Sequence, residues 1–365
     1  MKKLTLLIFI LFILFSANSF SQGCLESSSG DGAKIIGYIQ PQFNYNFNGK
    51  NLAGESLNTN SFVFNRARIG VTGSIPYDID YYVLVEASSF FTGNPFLLDA
   101  FITYKRLGPW AKFSMGSFKV PISLELNTPC NGLHTINRSV FVDELTAPNR
   151  DIGIMALGAS DSLTIFGMET FNLIKYSFAV TNGTGLGITD DNRGKNYSGR
   201  VVLSPVKGLS LGVSYLYGKQ KPNDETATED DLKKRFGFDL EYRYKNFLMQ
   251  GEYLHGEDKG SYTTGGGCGS PPVVQLGSIN RAGYFVSAMY LTPWKLEPVF
   301  KFETYDPNLA EDESGDIQNI MTFGLNYFLN DWTRIQVNYL YKAEETAAAE
   351  KANDCLLVQL QVKIK

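Results

Sequence analysis

The sequence predicts an all-β fold, a transmembrane antiparallel β-barrel of about 16 strands. Two patterns favour this fold: apolar side chains recur at every second position over long stretches, and the segments between these stretches alternate in length. The composition agrees, because aromatic residues make up 13% of the chain, charged residues only 19%, and 35 of the 365 residues are glycine. With 44% apolar residues the chain is too hydrophobic to be disordered. No stretch after the N-terminus is long enough for a membrane-spanning helix.

The first 21 residues have the pattern of a secretory signal peptide. Two lysines precede an apolar run over residues 4–15, and small and polar residues follow up to Ser21. The mature chain is therefore expected to contain a short periplasmic N-terminal segment, residues 22–33, and a single β-barrel over residues 34–365. An alternative is that Cys24 is the acylated cysteine of a lipoprotein, although the residues before it match that signal poorly.

Period-two alternation identifies the strands, because successive side chains of a strand point to opposite faces of the sheet. In residues 235–244, for example, phenylalanine, leucine and tyrosine alternate with charged residues and glycine. Sixteen such segments are predicted, at residues 34–48, 59–74, 78–91, 96–107, 110–120, 151–159, 171–182, 196–204, 209–218, 233–244, 246–256, 281–291, 295–304, 317–328, 332–342 and 354–365.

The connections between these segments alternate in length. Those after even-numbered strands are mostly tight, as at residues 75–77 and 108–109, and those after odd-numbered strands are long and polar, as at 121–150 and 257–280. This rhythm is typical of bacterial outer-membrane barrels, which have short periplasmic turns and long external loops. Residues 160–170 are an exception, because they follow an even-numbered strand, where the connections are otherwise short, and yet are long.

The three tryptophans support a membrane location. Trp110, Trp294 and Trp332 all lie beside short turns, as an aromatic girdle at one membrane surface requires. In hydrocarbon each unpaired backbone N–H or C=O is costly, so a spanning sheet must have no edge. The sequence therefore predicts a closed barrel.

Several segments resemble signatures of a known family. Phe64–Gly70, which reads Phe-Asn-Arg-Ala-Arg-Ile-Gly, is similar to the second-strand signature of the phosphate-selective porin O and P family. Gly116–Glu125 resembles the segment that leads into the long third external loop of that family, and residues 137–139 and 148–153 resemble the end of the same loop. The resemblance covers essentially the whole mature chain and is sharpest over residues 62–158.

The resemblance implies a sixteen-stranded channel in the outer membrane of a Gram-negative bacterium, usually a homotrimer. In that family the third loop, about residues 121–150 in this chain, folds into the lumen and narrows the pore. Lumenal arginines and lysines give the phosphate-specific members their anion selectivity. Arg66, Arg68 and Lys119 match that pattern. The complete series of lumenal basic residues cannot be matched residue by residue, so the resemblance does not predict phosphate specificity for this chain. The chain also ends in Lys365, whereas many outer-membrane barrels end in an aromatic residue.

The polar faces of the strands are expected to line the lumen and to carry more cations than acids. Charged side chains at a constriction set ion selectivity through the field that they impose on a permeating ion. Arginine also offers a planar fork of donors that suits phosphate or carboxylate. The predicted pore-lining and anion-binding residues are Arg66, Arg68, Lys112, Lys119, Arg138, Arg200, Arg235 and Arg243.

Structural pairing is the alternative interpretation for many of these charges. Asp239 and Glu241 lie between Arg235 and Arg243 on one strand face, and such charges can pair across strands and brace the wall. Arg66 and Arg68 have no acid next to them on their strand face, although Glu86 on the neighbouring strand could serve. We expect these two arginines to act on permeating ions.

Enzymatic and cofactor chemistry is not predicted. Residues 208–212 match the G-x-S-x-G pattern of serine hydrolases, but a strand follows them instead of the required helix. The two histidines, His134 and His255, are expected at the opposite membrane surface from that serine. Two histidines are also too few for a metal site built from several of them, and neither a metal nor a cofactor is expected. The net charge of −4 does not suit a nucleic-acid binder.

The predicted function is a passive channel for small hydrophilic solutes, with a preference for anions or phosphate as one form of it. The expected partners are outer-membrane lipid, the permeant anions and further copies of the chain. The alternative is a barrel that acts mainly as a surface adhesin or receptor, because its external loops are long enough to carry such a function.

Three cysteines, Cys130, Cys268 and Cys355, fall on the predicted external side. One disulfide among them is compatible with an oxidising compartment. The sequence does not indicate which pair would form it.

Replacing both Arg66 and Arg68 with alanine is expected to lower the anion-to-cation permeability ratio, because two lumenal positive charges are removed. The ratio follows from the reversal potential of single channels in a planar bilayer under a KCl gradient. A ratio equal to that of the unmodified protein would contradict the assignment.

Overall fold

The computed structural model of the protein describes residues 32–364 except for 52, 77, 89–95, 161–162, 166–167, 171, 188, 191, 223–229, 265–272, 311–315 and 344–351. The predicted signal peptide, residues 1–21, lies outside the described residues, as do Cys24 and Cys268. Among the described residues, no helix is both long enough and apolar enough to cross a membrane.

Sixteen antiparallel strands form one closed barrel, in which each strand pairs with its neighbours in the chain and the last strand pairs with the first. The prediction of a sixteen-stranded antiparallel barrel is therefore confirmed. The strands are β1 Gly32–Asn46, β2 Thr59–Ile75, β3 Ile79–Glu86, β4 Phe96–Tyr104, β5 Lys112–Lys119, β6 Arg150–Ala159, β7 Ile174–Thr181, β8 Asn196–Val206, β9 Leu209–Gln220, β10 Asp231–Tyr244, β11 Phe247–Thr264, β12 Val273–Tyr290, β13 Leu296–Asp306, β14 Gln318–Phe328, β15 Thr333–Ala343 and β16 Cys355–Ile364.

Alternate burial along each strand gives the barrel an apolar outside and a polar inside. In β14, Phe323 and Leu325 are about half exposed, whereas Thr322 and Asn326 are buried. The exposed side chains are the apolar ones, as expected for a wall that faces hydrocarbon. The inner face consequently carries the polar and charged residues from which a lumen is built.

Strands β11 and β12 are longer than predicted. The sequence placed a loop over residues 257–280, but the two strands continue as a paired ribbon, with Thr264 opposite Val273. A membrane crossing needs only about 10 residues per strand, so the 18-residue strands extend beyond the bilayer. Outside hydrocarbon no apolar face is required, and the apolar alternation used for the prediction therefore disappears before the strands end.

The connection between β6 and β7 contains a short hairpin of its own. Leu163–Ile165 pairs antiparallel with Met168–Thr170 as a separate two-stranded sheet. This hairpin accounts for the one long connection that the sequence placed on the side of the short turns.

The segment between β5 and β6 contains two helices, α1 at Leu124–Asn127 and α2 at Val140–Thr146, and a short 3₁₀-helix at Cys130–Gly132. Its backbone and side chains bond to inward-facing residues of at least six strands, so residues 121–149 lie inside the barrel. We refer to these residues as the lumenal loop.

An apolar core joins the lumenal loop to one side of the wall. Six apolar residues at the start of the loop and in its helices pack against four inward-facing residues of β9, β11, β12 and β13; the ten residues are Val120, Ile122, Leu126, Phe141, Val142, Leu145, Leu216, Leu254, Phe285 and Tyr305. These four wall residues break the polar-inside pattern because the loop covers them. The loop is thus attached to the wall by burial of apolar surface.

Gly283→Ala is expected to disrupt this contact. A Cβ at Gly283 in β12 would lie 2.4 Å from Cβ of Phe141, so α2 must move away from the wall. Overpacking of this kind costs about 1–3 kcal/mol. Thermal unfolding monitored by circular dichroism should give a lower Tm for this variant.

The matched control is Gly251→Ala in β11, where the added Cβ would lie 3.5 Å from the Phe285 carbonyl oxygen, an ordinary contact. The control should unfold as the unmodified protein does. Equal Tm values for the two variants would show that α2 does not pack on Gly283.

Candidate functional site

The backbone of the lumenal loop needs hydrogen-bond partners, because helix ends leave N–H and C=O groups unpaired and a buried unpaired group costs about 1–3 kcal/mol. At the start of α1, Ser123 Oγ accepts from Leu126 N at 3.0 Å. The carboxylate of Glu252, on the inner face of β11, accepts from Leu124 N at 3.1 Å and from Glu125 N at 2.9 Å. The wall thus supplies the acceptor that the helix end lacks.

Charged residues hold both ends of α2 in the same way. At its start, Glu125 accepts from Ser139 N at 2.7 Å, and Glu303 of β13 accepts from Val140 N at 3.0 Å. At its end, Arg235 Nε of β10 donates to Leu145 O at 2.8 Å. Acids at the N-terminus and a cation at the C-terminus also match the helix dipole.

Lys301 connects the loop to the wall. Its ammonium lies 2.7 Å from the carboxylate of Glu125 in α1 and 3.2 Å from that of Glu303 in β13, and all three side chains are buried. A buried charge that loses its partner costs several kcal/mol, so these residues are structural. They are not free to act on a permeating ion.

Amide side chains hold the middle of the loop. Asn338 of β15 accepts from Ile136 N at 2.7 Å, Asn326 of β14 donates to His134 O at 2.8 Å, and Gln361 of β16 donates to Asn131 O at 3.2 Å. His134 Nδ1 additionally lies 2.9 Å from Glu297 of β13. Polar residues on β13 to β16 therefore hold the middle of the loop.

Four basic residues meet where the loop approaches β1 and β2, and we call them the basic cluster: Arg66 and Arg68 of β2, Lys119 at the end of β5, and Arg138 of the loop. All four exert a positive potential on the thiol of Cys130. The cluster is a concentration of positive charge at the edge of the loop.

Most of this charge is held by neutral oxygens. Arg66 Nη1 donates to Gln40 Oε1 at 3.2 Å and to Ile136 O at 3.3 Å. Arg138 Nε donates to Glu125 O at 3.0 Å. Lys119 Nζ donates to Leu126 O at 2.9 Å and to Thr128 O at 3.2 Å.

Arg68 has a carboxylate partner, because its Nε lies 2.7 Å from Glu86 of β3. Among the described residues, neither Arg66 nor Arg138 forms an ion pair within 4 Å. Within that part of the chain, neither of these two charges is therefore compensated by a directly bound carboxylate.

The structure separates the other predicted pore residues from this cluster. Arg200 of β8 is buried and bonds to Asp239 of β10 at 2.7 Å. Arg235 bonds to Asp258 of β11 at 2.8 Å in addition to holding α2. Lys112 begins β5 and Arg243 is exposed near the end of β10, both beside short turns. Four of the eight predicted residues are thus brought together, and four lie elsewhere on the wall.

The sequence interpretation missed Cys130, which it placed on the external side as a disulfide candidate. The residue lies inside the barrel and is buried, and both Cys130 and Cys355 are free thiols. Burial opposes ionisation of the Cys130 thiol, yet the positive charges of the basic cluster outweigh it, so the pKa of Cys130 lies well below its ordinary value. Nothing in the spacing of the cysteines could have revealed this contact, because Arg68 is 62 residues away.

In the part of the chain that the structure describes, no group of three or more histidine, cysteine or acidic side chains could hold a metal ion. The charged groups at the loop are instead arranged to hold a backbone and to present positive charge. This arrangement suits a selective constriction.

Comparisons with known proteins agree with this interpretation. A sequence profile of the phosphate-selective porin O and P family matches residues 38–266, well over half of the chain. No curated protein matches.

Several solved structures share the fold at low sequence identity. The anion-selective porin from Comamonas acidovorans has a TM-score of 0.65 at 13% identity, covering 93% of this chain and 100% of that chain. OmpF of Salmonella typhi, solved with daunomycin, has a TM-score of 0.61 at 14% identity, covering 92% and 98%. The trimer form of OmpT of Vibrio cholerae has a TM-score of 0.58 at 12% identity, covering 91% and 99%.

The family and the fold are those of channels and not of enzymes. Three observations lead to one conclusion: the barrel is closed, its outer face is apolar, and the family profile matches more than half of the chain. The chain belongs to the phosphate-selective porin O and P family and is a channel protein of a Gram-negative outer membrane.

Proposed function

We propose that the channel is a passive pore for small hydrophilic solutes that prefers anions, with the basic cluster as its selective element. The observation that carries the proposal is that Arg66 is held by neutral oxygen atoms. A guanidinium bonded to a carbonyl or an amide keeps its full charge, whereas one bonded to a carboxylate is neutralised. A permeating ion near the loop therefore meets net positive charge.

The pairing of the remaining charges supports the same proposal. Arg200, Arg235 and Lys301 each have a carboxylate within 3 Å, so their contribution to the field in the lumen is small. The selective charge is then local to the basic cluster and is not a property of the whole wall. Phosphate and carboxylate solutes are the anions that an arginine fork recognises best.

The family and the shared fold are compatible with anion preference. One similar structure is that of a porin named for its anion selectivity, and the family is named for phosphate selectivity. The loop, held by charges, amides and an apolar core, is the part of the chain that narrows the pore and brings solutes close to Arg66.

We further propose that the protein works as a homotrimer in outer-membrane lipid. Large apolar side chains are exposed around the outer wall, as at Phe113, Met115 and Ile154, and they need lipid or a second barrel to cover them. OmpT of Vibrio cholerae, which shares the fold, has been solved in a trimer form.

Arg66→Gln tests the selective role of the cluster. The substitution removes one uncompensated charge and keeps a polar side chain, so the anion-to-cation permeability ratio should fall by about twofold. The ratio is measured from the reversal potential of the reconstituted channel under a KCl gradient.

Arg243→Gln is the matched control, because it removes the same charge from an exposed site near the end of β10. Its ratio should stay close to that of the unmodified channel. Equal effects of the two substitutions would mean that selectivity follows total charge and that the basic cluster has no special role.

A further inference from the structure

The thiol of Cys130 lies among hydrogen-bond donors. Arg138 Nη2 lies 3.1 Å and Arg68 Nη1 3.2 Å from Cys130 Sγ. The hydroxyl of Tyr38, on the inner face of β1, accepts a bond from Arg68 at 2.7 Å, and Tyr38 packs with Cys130 in a small buried cluster. Two guanidinium groups, one from a strand and one from the loop, therefore converge on one sulfur atom.

The chemistry of these donors indicates the charge state of the sulfur. A guanidinium has only N–H groups to offer and does not lose its proton in proteins, so both arginines must donate. A neutral thiol accepts hydrogen bonds weakly, whereas a thiolate is a full negative charge that two guanidinium groups stabilise. The site is also nearly closed to water, because Cys130 is only 3% exposed.

We propose that Cys130 is a thiolate in the working channel and is the fixed counter-charge that sets how strongly the basic cluster attracts anions. The proposal rests on the proposed function of that cluster. The sulfur joins Arg138 of the loop to Arg68 of the wall, which in turn binds Glu86. Cys130 is thus a specificity-determining residue, since it offsets one of the charges that face the solute.

The lowered pKa of the Cys130 thiol agrees with this geometry. Burial opposes ionisation, and the positive charges of the basic cluster outweigh it. A thiol carries its negative charge at pH values above its pKa and loses that charge as the pH falls below it. Acidification should therefore protonate the thiolate, add one net positive charge to the cluster and raise the preference for anions.

Several other titratable groups face this site, and the effect of their titration must be distinguished from that of the thiol. Tyr38 faces it from β1, Glu86 contacts it through Arg68 of β2, and Asp143 of α2 and Glu125 of α1 interact with Arg138. Protonation of these carboxylates at low pH would also raise the preference for anions. A variant that changes only the sulfur shares all of these groups, so the difference from the unmodified protein reports Cys130 alone.

The test compares the unmodified channel with Cys130→Ser over a pH series in planar bilayers. Serine keeps a hydrogen-bonding oxygen but does not ionise, so at neutral pH the variant should be about twofold more anion-selective. The two ratios should converge at low pH, where the thiolate of the unmodified protein is protonated. Cys130→Asp, which restores a negative charge, should return the neutral-pH ratio to that of the unmodified channel.

The ultraviolet absorbance of the thiolate provides a readout that does not depend on permeation. The folded protein minus Cys130→Ser should show thiolate absorbance at neutral pH that disappears on acidification. If Cys130→Ser does not fold, a variant with the other three cysteines changed to serine gives the same measurement, because its only thiol is Cys130.

The outcomes distinguish this inference from the proposed function. Equal permeability ratios for the unmodified protein and Cys130→Ser at every pH, with no thiolate absorbance, would overturn the role of Cys130. A channel that prefers cations, and in which Cys130→Ser still shifts the ratio towards anions, would refute the proposed function and leave the thiolate in place.

Discussion

The need to satisfy the backbone of a loop that lies inside a barrel determines most of this lumen. The ends of α1 and α2 have N–H and C=O groups without partners in their own helices, and water is largely displaced from around them. Glu252, Glu303 and Arg235 on the wall supply the missing partners. The polar inner face is therefore only partly a surface for solutes, because much of it is a binding site for the loop. The apolar core around Phe141 adds hydrophobic contact to the same attachment.

This constraint also explains where selectivity can reside. A wall charge that binds the loop or another wall residue has its field cancelled nearby, as Lys301 does between Glu125 and Glu303. Positive charge remains where the loop offers a neutral carbonyl oxygen as the partner, and this is the case at Arg66. Cys130 then moderates that charge, since it is the anionic group that both Arg68 and Arg138 contact. Under the proposed function, attachment of the loop and selection of ions are two results of one arrangement of charges.

The sequence predicted the barrel well, because strand alternation and the rhythm of turn lengths are local features imposed by hydrocarbon. Where hydrocarbon ends, as in the ribbon of β11 and β12, the alternation ends too, and the strands were predicted too short. The site was predictable only in part. Arg66 and Arg68 were found from a local motif, but their contacts with Ile136 and Cys130 join residues 62 to 70 positions apart. Arg200 and Arg235 could not be separated from them by pattern, because their partners are fixed by the barrel register and by the fold of the loop.

The measurement that tests this account most directly is the reversal potential of the unmodified channel under a KCl gradient, repeated with phosphate added. A basic cluster in which Arg66 is held by neutral oxygens should give a reversal potential on the anion-selective side, and phosphate should reduce the chloride current by occupying the guanidinium groups. A reversal potential near zero that phosphate does not change would contradict the account. It would mean that the basic cluster, like the rest of the charged wall, only holds the loop in place.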